Sequence, residues 1–179
     1  MKESHRRLRE GTRDEHERLD TLFGRFDLTD AGGYADFLSA HAAALLPLEA
    51  ALDAADAAAI VPDWNDRRRA DRIVDDLRLL GRAPPPPVPV PALPTVPALL
   101  GALYVVEGSR LGGRMLARQV ADGLPRTYLA ADQASGNWPK LLAIIDSLLY
   151  GHDAFTQAIG TARAVFASFE TSGRTWARE

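Results

Sequence analysis

The chain reads as an all-α protein, a single-domain helical array, on three observations. Apolar residues recur at intervals of three and four almost throughout. No segment keeps the alternation of a half-buried strand, and no internal repeat appears. A composition of 46% hydrophobic and 25% charged residues over 179 positions suits one well-packed soluble core. One domain spanning residues 1–179 is therefore expected.

The elements follow in order. Leu8, Thr12, His16, Leu19, Phe23 and Phe26 form a first apolar stripe, ending at the turn-forming run Asp27 to Gly33. Tyr34, Phe37, Leu38, His41, Leu45, Leu48 and Leu52 form a second, expected to bend at Pro47. Ile73, Val74, Leu77 and Leu80 form a third, stopped by Gly81. Prolines at 84–87, 89 and 91 then force an extended, polyproline-like connection around 83–97. Neither half of the chain has length to spare for its own core, so this connection should cross the surface of one domain rather than link two. Thr95-Val96-Pro97 marks a helix start, with proline in the first turn, and that helix should run to about Val120. Asn137-Trp138-Pro139 opens another helix, and Gly151-His152-Asp153 restarts the chain into Phe155, Ile159, Ala162, Phe166 and Phe169 at helical spacing.

Charge and composition exclude several functions. A net charge of −3 argues against a nucleic-acid partner. The clusters Arg6-Arg7-Arg9 and Arg67-Arg68-Arg69 are interleaved with acids and read as solvated helix faces. The absence of cysteine excludes disulfides, thiolate metal sites and a cysteine nucleophile. No run approaches the roughly 20 apolar residues of a membrane span, and the charged N-terminus lacks a signal-peptide core. No membrane association is expected, and the cytoplasm is the default compartment.

One segment departs from ordinary helix. Leu103 to Leu116 carries Gly108, Gly112 and Gly113 within an apolar-periodic stretch. Each glycine costs a helix interior about 1 kcal/mol relative to alanine. Gly108 and Gly112 share one face, so a bare strip of backbone is offered to something that must come close, either a flat ligand or another helix. Gly108 to Gly113 lacks the lysine and preceding strand of a phosphate loop, and Ser109 lacks the strained elbow of a nucleophile.

Of the four histidines, His5 lies in a terminus expected to fray, and His152 sits at a helix junction suited to a surface role. His41 falls on an apolar stripe and reads as a hydrogen-bonded core residue. His16 has Asp20 one turn further on, which could fix the imidazole tautomer and leave the other nitrogen for a metal. A helix-surface ion pair explains the same spacing. Taken together, an oriented histidine on one helix and a bare face on another make a plausible sandwich for heme.

The stretch Leu8 to Asp20 resembles the proximal helix of the heme oxygenase family, and Tyr104 to Arg114 resembles that family's distal helix in its bacterial, biliverdin-producing form. The all-α pattern agrees over nearly the whole chain. The resemblance implies a heme oxygenase-like fold and an enzyme that uses oxygen and electrons to open heme b, at once cofactor and substrate, to biliverdin, carbon monoxide and ferrous iron. It makes His16 the axial iron ligand, with Asp20 orienting it. Gly108, Ser109 and Gly112 would form the distal catalytic roof, and Gly113 would let the helix bend. Arg9 would pair with a propionate, with Arg13 and Lys140 as further candidates; Thr12, Tyr104 and Phe166 would complete the heme surroundings. Ser109 stands where mammalian-type members carry an aspartate that organises catalytic waters, so the proton route is not assigned. An electron donor such as ferredoxin or a flavin reductase, and a bacterial phytochrome as biliverdin acceptor, are the implied partners. A non-catalytic heme carrier or sensor of the same fold is the alternative.

Overall fold

A computed structural model describes residues 2–131 and 136–177, and every regular element among them is a helix. The first stripe is divided between α1 (Glu3–Gly11) and α2 (Arg13–Phe23) rather than forming one helix. Thr12 makes the break: its backbone leaves the helical region at φ −123°, while its hydroxyl donates to the Leu8 carbonyl at 2.8 Å. α3 (Ala31–Ala54) starts on the Asp30 side chain, which accepts from the Gly33 N–H at 2.8 Å, and continues unbroken through Pro47. Composition alone would let α3 cross a membrane, but 72% of its apolar window lies inside the molecule. It is a core helix, contributing Leu38, Leu45, Leu48 and Leu52 with no exposed surface.

Two single-turn helices, α4 (Ala57–Ile60) and α5 (Trp64–Arg67), then lead into α6 (Ala70–Leu79), closed beyond its end by Gly81 at φ +70°. The short turns lie in a stretch without apolar periodicity, and sequence gives no sign of them. The proline segment runs between α6 and α7. Val88 N–H donates to the Ala43 carbonyl of α3 at 2.9 Å, and the Pro89 carbonyl accepts from the Ser168 hydroxyl at 2.8 Å.

α7 (Val96–Ala117) begins on a Thr95 cap, whose hydroxyl accepts from Ala98 N–H at 3.3 Å, and ends three residues before the expected Val120. α8 (Asn137–Leu148) and α9 (His152–Trp176) start where the sequence places them. α9 is the axis of the molecule and packs on α7, α3 and α2. Gly101 lets α7 reach it, since a Cβ there would lie 2.2 Å from the Ala158 carbonyl oxygen. α2 and α7 both lean on α9 yet make little contact with each other, and the interval between the two helices is termed the slot. α8 packs on α1 and α7. Lys2 pairs with Asp146 at 2.6 Å, and the Ser4 hydroxyl donates to the same carboxylate.

Candidate functional site

One wall of the slot is α2. The His16 side chain is 62% exposed, and its Nδ1 lies 3.1 Å from Asp20 Oδ2. One turn of helix has brought the two together, as their spacing requires. With Nδ1 engaged, Nε2 is the nitrogen left for a ligand. Beneath the imidazole sits Phe166 of α9, 6% exposed, its ring edge-on with centroids 5.9 Å apart.

The other wall is α7, where the glycines divide by neighbour. Gly112 has nothing within 4 Å of where a Cβ would be, and Gly108 meets only the Trp138 ring at 3.5 Å. Leu111 and Met115 on the same face are 50% and 67% exposed. Apolar side chains left in water beside bare backbone suit a flat apolar ligand. Gly113 points elsewhere, its Cβ position 3.3 Å from the Leu129 carbonyl oxygen. That contact is held by Asp76, which accepts from Thr127 N–H, the Thr127 hydroxyl and Tyr128 N–H at 3.2, 2.6 and 2.9 Å.

Arg9, His5, Tyr104 and Trp138 gather at one end of the slot. His5 is not in a frayed terminus: it lies in α1, with its ring centroid 6.2 Å from Tyr104 and 5.7 Å from Trp138. The hydrophobic stripe of α7 supplies Tyr104 as its partner, a pairing across 99 positions that sequence spacing does not display. Burial lowers the His5 imidazole from its ordinary value, and the Arg9 charge adds to this. Burial raises the Tyr104 hydroxyl, and Arg9 opposes it. Arg9 is exposed and thus available to a carboxylate of a ligand in the slot. Arg13 is exposed and paired with Asp14 at 3.2 Å. Lys140 is exposed on the face of α8 away from Trp138. Although burial opposes it, the Asp63 carboxyl is held below its ordinary range by Arg67 and, more weakly, by Lys140. Thr12 is buried, its hydroxyl committed to Leu8.

Behind α7 lies a layer of buried charge, and here the expectation of a solvated arginine face is corrected. Arg67 and Arg69 are 1% and 3% exposed; of that cluster only Arg68 faces water. Arg67 Nη1 donates to Glu107 Oε2 at 3.0 Å, and Arg110 Nε donates to Glu107 Oε1 at 2.8 Å. Glu49 accepts from the N–H groups of Arg69 and Ala70 at 2.8 and 2.9 Å, capping α6 from α3. Burial still pushes its carboxyl upward. Arg67 is buried because the Glu107 carboxylate of α7 is buried with it. Arg69 Nη2 reaches α7 itself, donating to the Val106 carbonyl at 2.9 Å and to Ser109 Oγ at 2.8 Å.

His41 is partly buried against this interior and hydrogen-bonded as expected. Its Nδ1 is hydrogen-bonded to the Tyr128 hydroxyl at 2.9 Å, and Phe23, Phe37 and Phe169 surround the ring. Burial, with the Arg69 charge adding, pushes the imidazole down to about 3, so it is neutral at ordinary pH.

A groove of about 660 Å³ is a different place. It is lined by Asp14, Glu17, Arg18 and Thr21 on the face of α2 turned away from His16, and by Glu170 of α9. Among the described residues no three His, Asp or Glu side chains cluster to hold a bare metal ion. The slot instead offers one imidazole, a bare glycine roof, apolar flanks and a cation at its edge, a set that fits heme.

No family model matches the chain. It is 34% identical over 148 residues to a heme oxygenase of Xanthomonas campestris pv. campestris (strain 8004), spanning 79% of this chain and 89% of that relative. Its backbone also matches the crystal structure of the NO- and CO-bound heme oxygenase from Neisseria meningitidis, with a TM-score of 0.82 at 20% identity. That match covers 96% of this chain and 90% of the other, and it is a likeness of fold. The relative's identity and coverage settle kinship: the chain belongs to the heme oxygenase family.

Proposed function

We propose that residues 1–179 form one heme oxygenase domain that seats heme b between His16 and the Gly108–Gly112 face of α7 and opens its ring. The observation that carries the reading is the pairing of an exposed, oriented imidazole with an uncovered Gly112 on the far wall of one slot. Heme supplies both the iron that activates oxygen and the ring that is cleaved to biliverdin, carbon monoxide and ferrous iron. His16 Nε2 is the nitrogen donor, its ring oriented by the Asp20 contact at Nδ1. Gly108 and Gly112 keep side chains out of the macrocycle's space, and Leu111 and Met115 exclude water from its face. Arg9 holds a propionate at the end lined by His5, Tyr104 and Trp138, and Phe166 supports the His16 ring. A ferredoxin or flavin reductase supplies electrons, a bacterial phytochrome is a candidate acceptor of the product, and the protein works in the cytoplasm.

An absorbance titration with hemin, followed by reductant under air, tests this reading. The expected result is a saturable Soret band that decays as broad red bilin absorption rises. A stable Soret band would indicate a heme carrier of the same fold, and no band at all would return the glycine face to helix packing.

A further inference from the structure

α1 and α2 are laid along α9 turn after turn. The Arg7 guanidinium of α1 stacks 3.8 Å from the Phe155 ring centroid, and a Cβ on Gly11 would lie 2.9 Å from the Ile159 side chain. His16 of α2 then meets Phe166, Arg18 lies 3.7 Å from Glu170, and a Cβ on Gly173 would lie 2.8 Å from the Leu22 side chain. Residue numbers rise together on both sides, so the two short helices run parallel to α9, with the Thr12 break within the contact. Arg163 stands at that break. Its Nε donates to the carbonyl of Gly11, the last residue of α1, at 2.7 Å, and lies 3.7 Å from Glu15 Oε1 in the first turn of α2. A cation on the last carbonyl of a helix also suits the negative end of the helix dipole. One side chain of α9 thus touches both helices where the backbone leaves the helical path.

That break divides the heme contacts. The axial ligand His16 belongs to α2, whereas Arg9, at the propionate, belongs to α1. A heme held by its axial nitrogen alone can turn about the iron–nitrogen bond, and a carboxylate held at a second point stops the turn. The direction from the first point to the second depends on the angle between α1 and α2, which no continuous helix sets. Thr12 does not set it alone, because its hydroxyl bonds backward to Leu8 within α1. Resting on the heme reading above, we infer that Arg163 is a positioning residue for the macrocycle. By holding the end of α1 to the start of α2, it fixes how heme is turned about the His16 axis, and so which bridging (meso) carbon is opened. The Arg163 side chain is 54% exposed, so its pairing with Glu15 adds little to stability and acts through geometry. A misplacement of about 1 Å introduced far from the chemistry is enough to change a rate by about 100-fold.

The test uses the heme-loaded full chain and its Arg163→Ala and Arg163→Lys variants. Proton NMR of the ferric, cyanide-ligated complex reads the seating through the shifts of the ring methyls and needs no turnover. Chromatography of the product after reductant and air reads the consequence, as the ratio of biliverdin isomers. Arg163→Ala should alter the methyl pattern and change the isomer ratio about fivefold, the weight of one net hydrogen bond. Heme affinity and helix content should stay as they are, since the side chain is exposed. Arg163→Lys keeps a charged donor for the Gly11 carbonyl and should recover part of both effects. Unchanged methyl shifts in Arg163→Ala, or altered shifts with an unchanged isomer ratio, overturn this inference and leave the functional reading intact. A change that comes with lost helix content and that Arg163→Lys does not recover marks a general brace, and overturns the positioning role. A protein that seats heme without opening it corrects the functional reading alone, with the methyl shifts still deciding the role of Arg163. Absence of a Soret band in the unsubstituted protein overturns the functional reading and this inference with it.

Discussion

At His16 the imidazole stays in water and is held by one carboxylate, whereas at His41 the same ring is enclosed by three phenylalanines and a tyrosine. Each fate has a measurable consequence. His16→Ala should leave the far-UV spectrum and unfolding midpoint unchanged, because the side chain is exposed, while abolishing the axial-ligand features of the heme spectrum. His41 works through pH. Its folded-state value of about 3 lies below the ordinary 6.5, so the unfolded chain binds the extra proton between those limits. Stability should therefore be intact above pH 6.5 and fall by up to about 1.4 kcal/mol per unit as pH drops below it, a slope that denaturant titrations of His41→Gln should lack. Glu107 answers to two buried arginines, and Glu107→Ala should cost about 3–5 kcal/mol in the same assay. The His16–Asp20 pair was legible because both partners lie on one helical turn. The burial of Arg67 and Arg69 was not, since their side-chain partners Glu107 and the Val106 carbonyl stand 40 and 37 positions from them and only the fold brings these groups together.

Among elements, α7 shows how one residue type serves two purposes. Gly101 and Gly113 are packing glycines, set against the Ala158 and Leu129 carbonyls, whereas Gly112 faces open space. Gly101→Ala should destabilise the fold by about 1–3 kcal/mol, since backbone rather than a flexible side chain must move. Gly112→Leu should melt like the unsubstituted protein and lose heme binding. Matching losses of stability in the two variants would remove Gly112 from the ligand face. Sequence placed the start of α7 correctly, because Thr95 and Pro97 are local signals that act through local hydrogen bonds. The division of α1 from α2 escaped notice because the apolar stripe runs through it, and Thr12 interrupts the backbone without interrupting the pattern.

For the molecule as a whole, α9 supports both walls of the slot while contributing Phe166 to it. A ligand spanning α2 and α7 adds a second connection between them. Hemin at a hundredfold excess over its Kd should stabilise the protein by about 2.7 kcal/mol, seen as a raised melting temperature that His16→Ala largely forfeits. The all-α class and most helix starts were readable from periodicity. The slot was not, because it arises from two helices that fail to meet.

The proline segment carries a consequence of its own. Between Pro84 and Pro91 only Val88 and Val90 possess an amide hydrogen. The Val88 hydrogen is the one bound to Ala43 of α3, while the next residue's carbonyl is tied to Ser168 of α9. Sliding this strand by one position in either direction would present a proline nitrogen to Ala43 and leave that carbonyl without its donor. The segment is thus a key cut for a single lock. Its alignment across two helices is written in where hydrogens are missing, and it stays in register without a sheet to hold it.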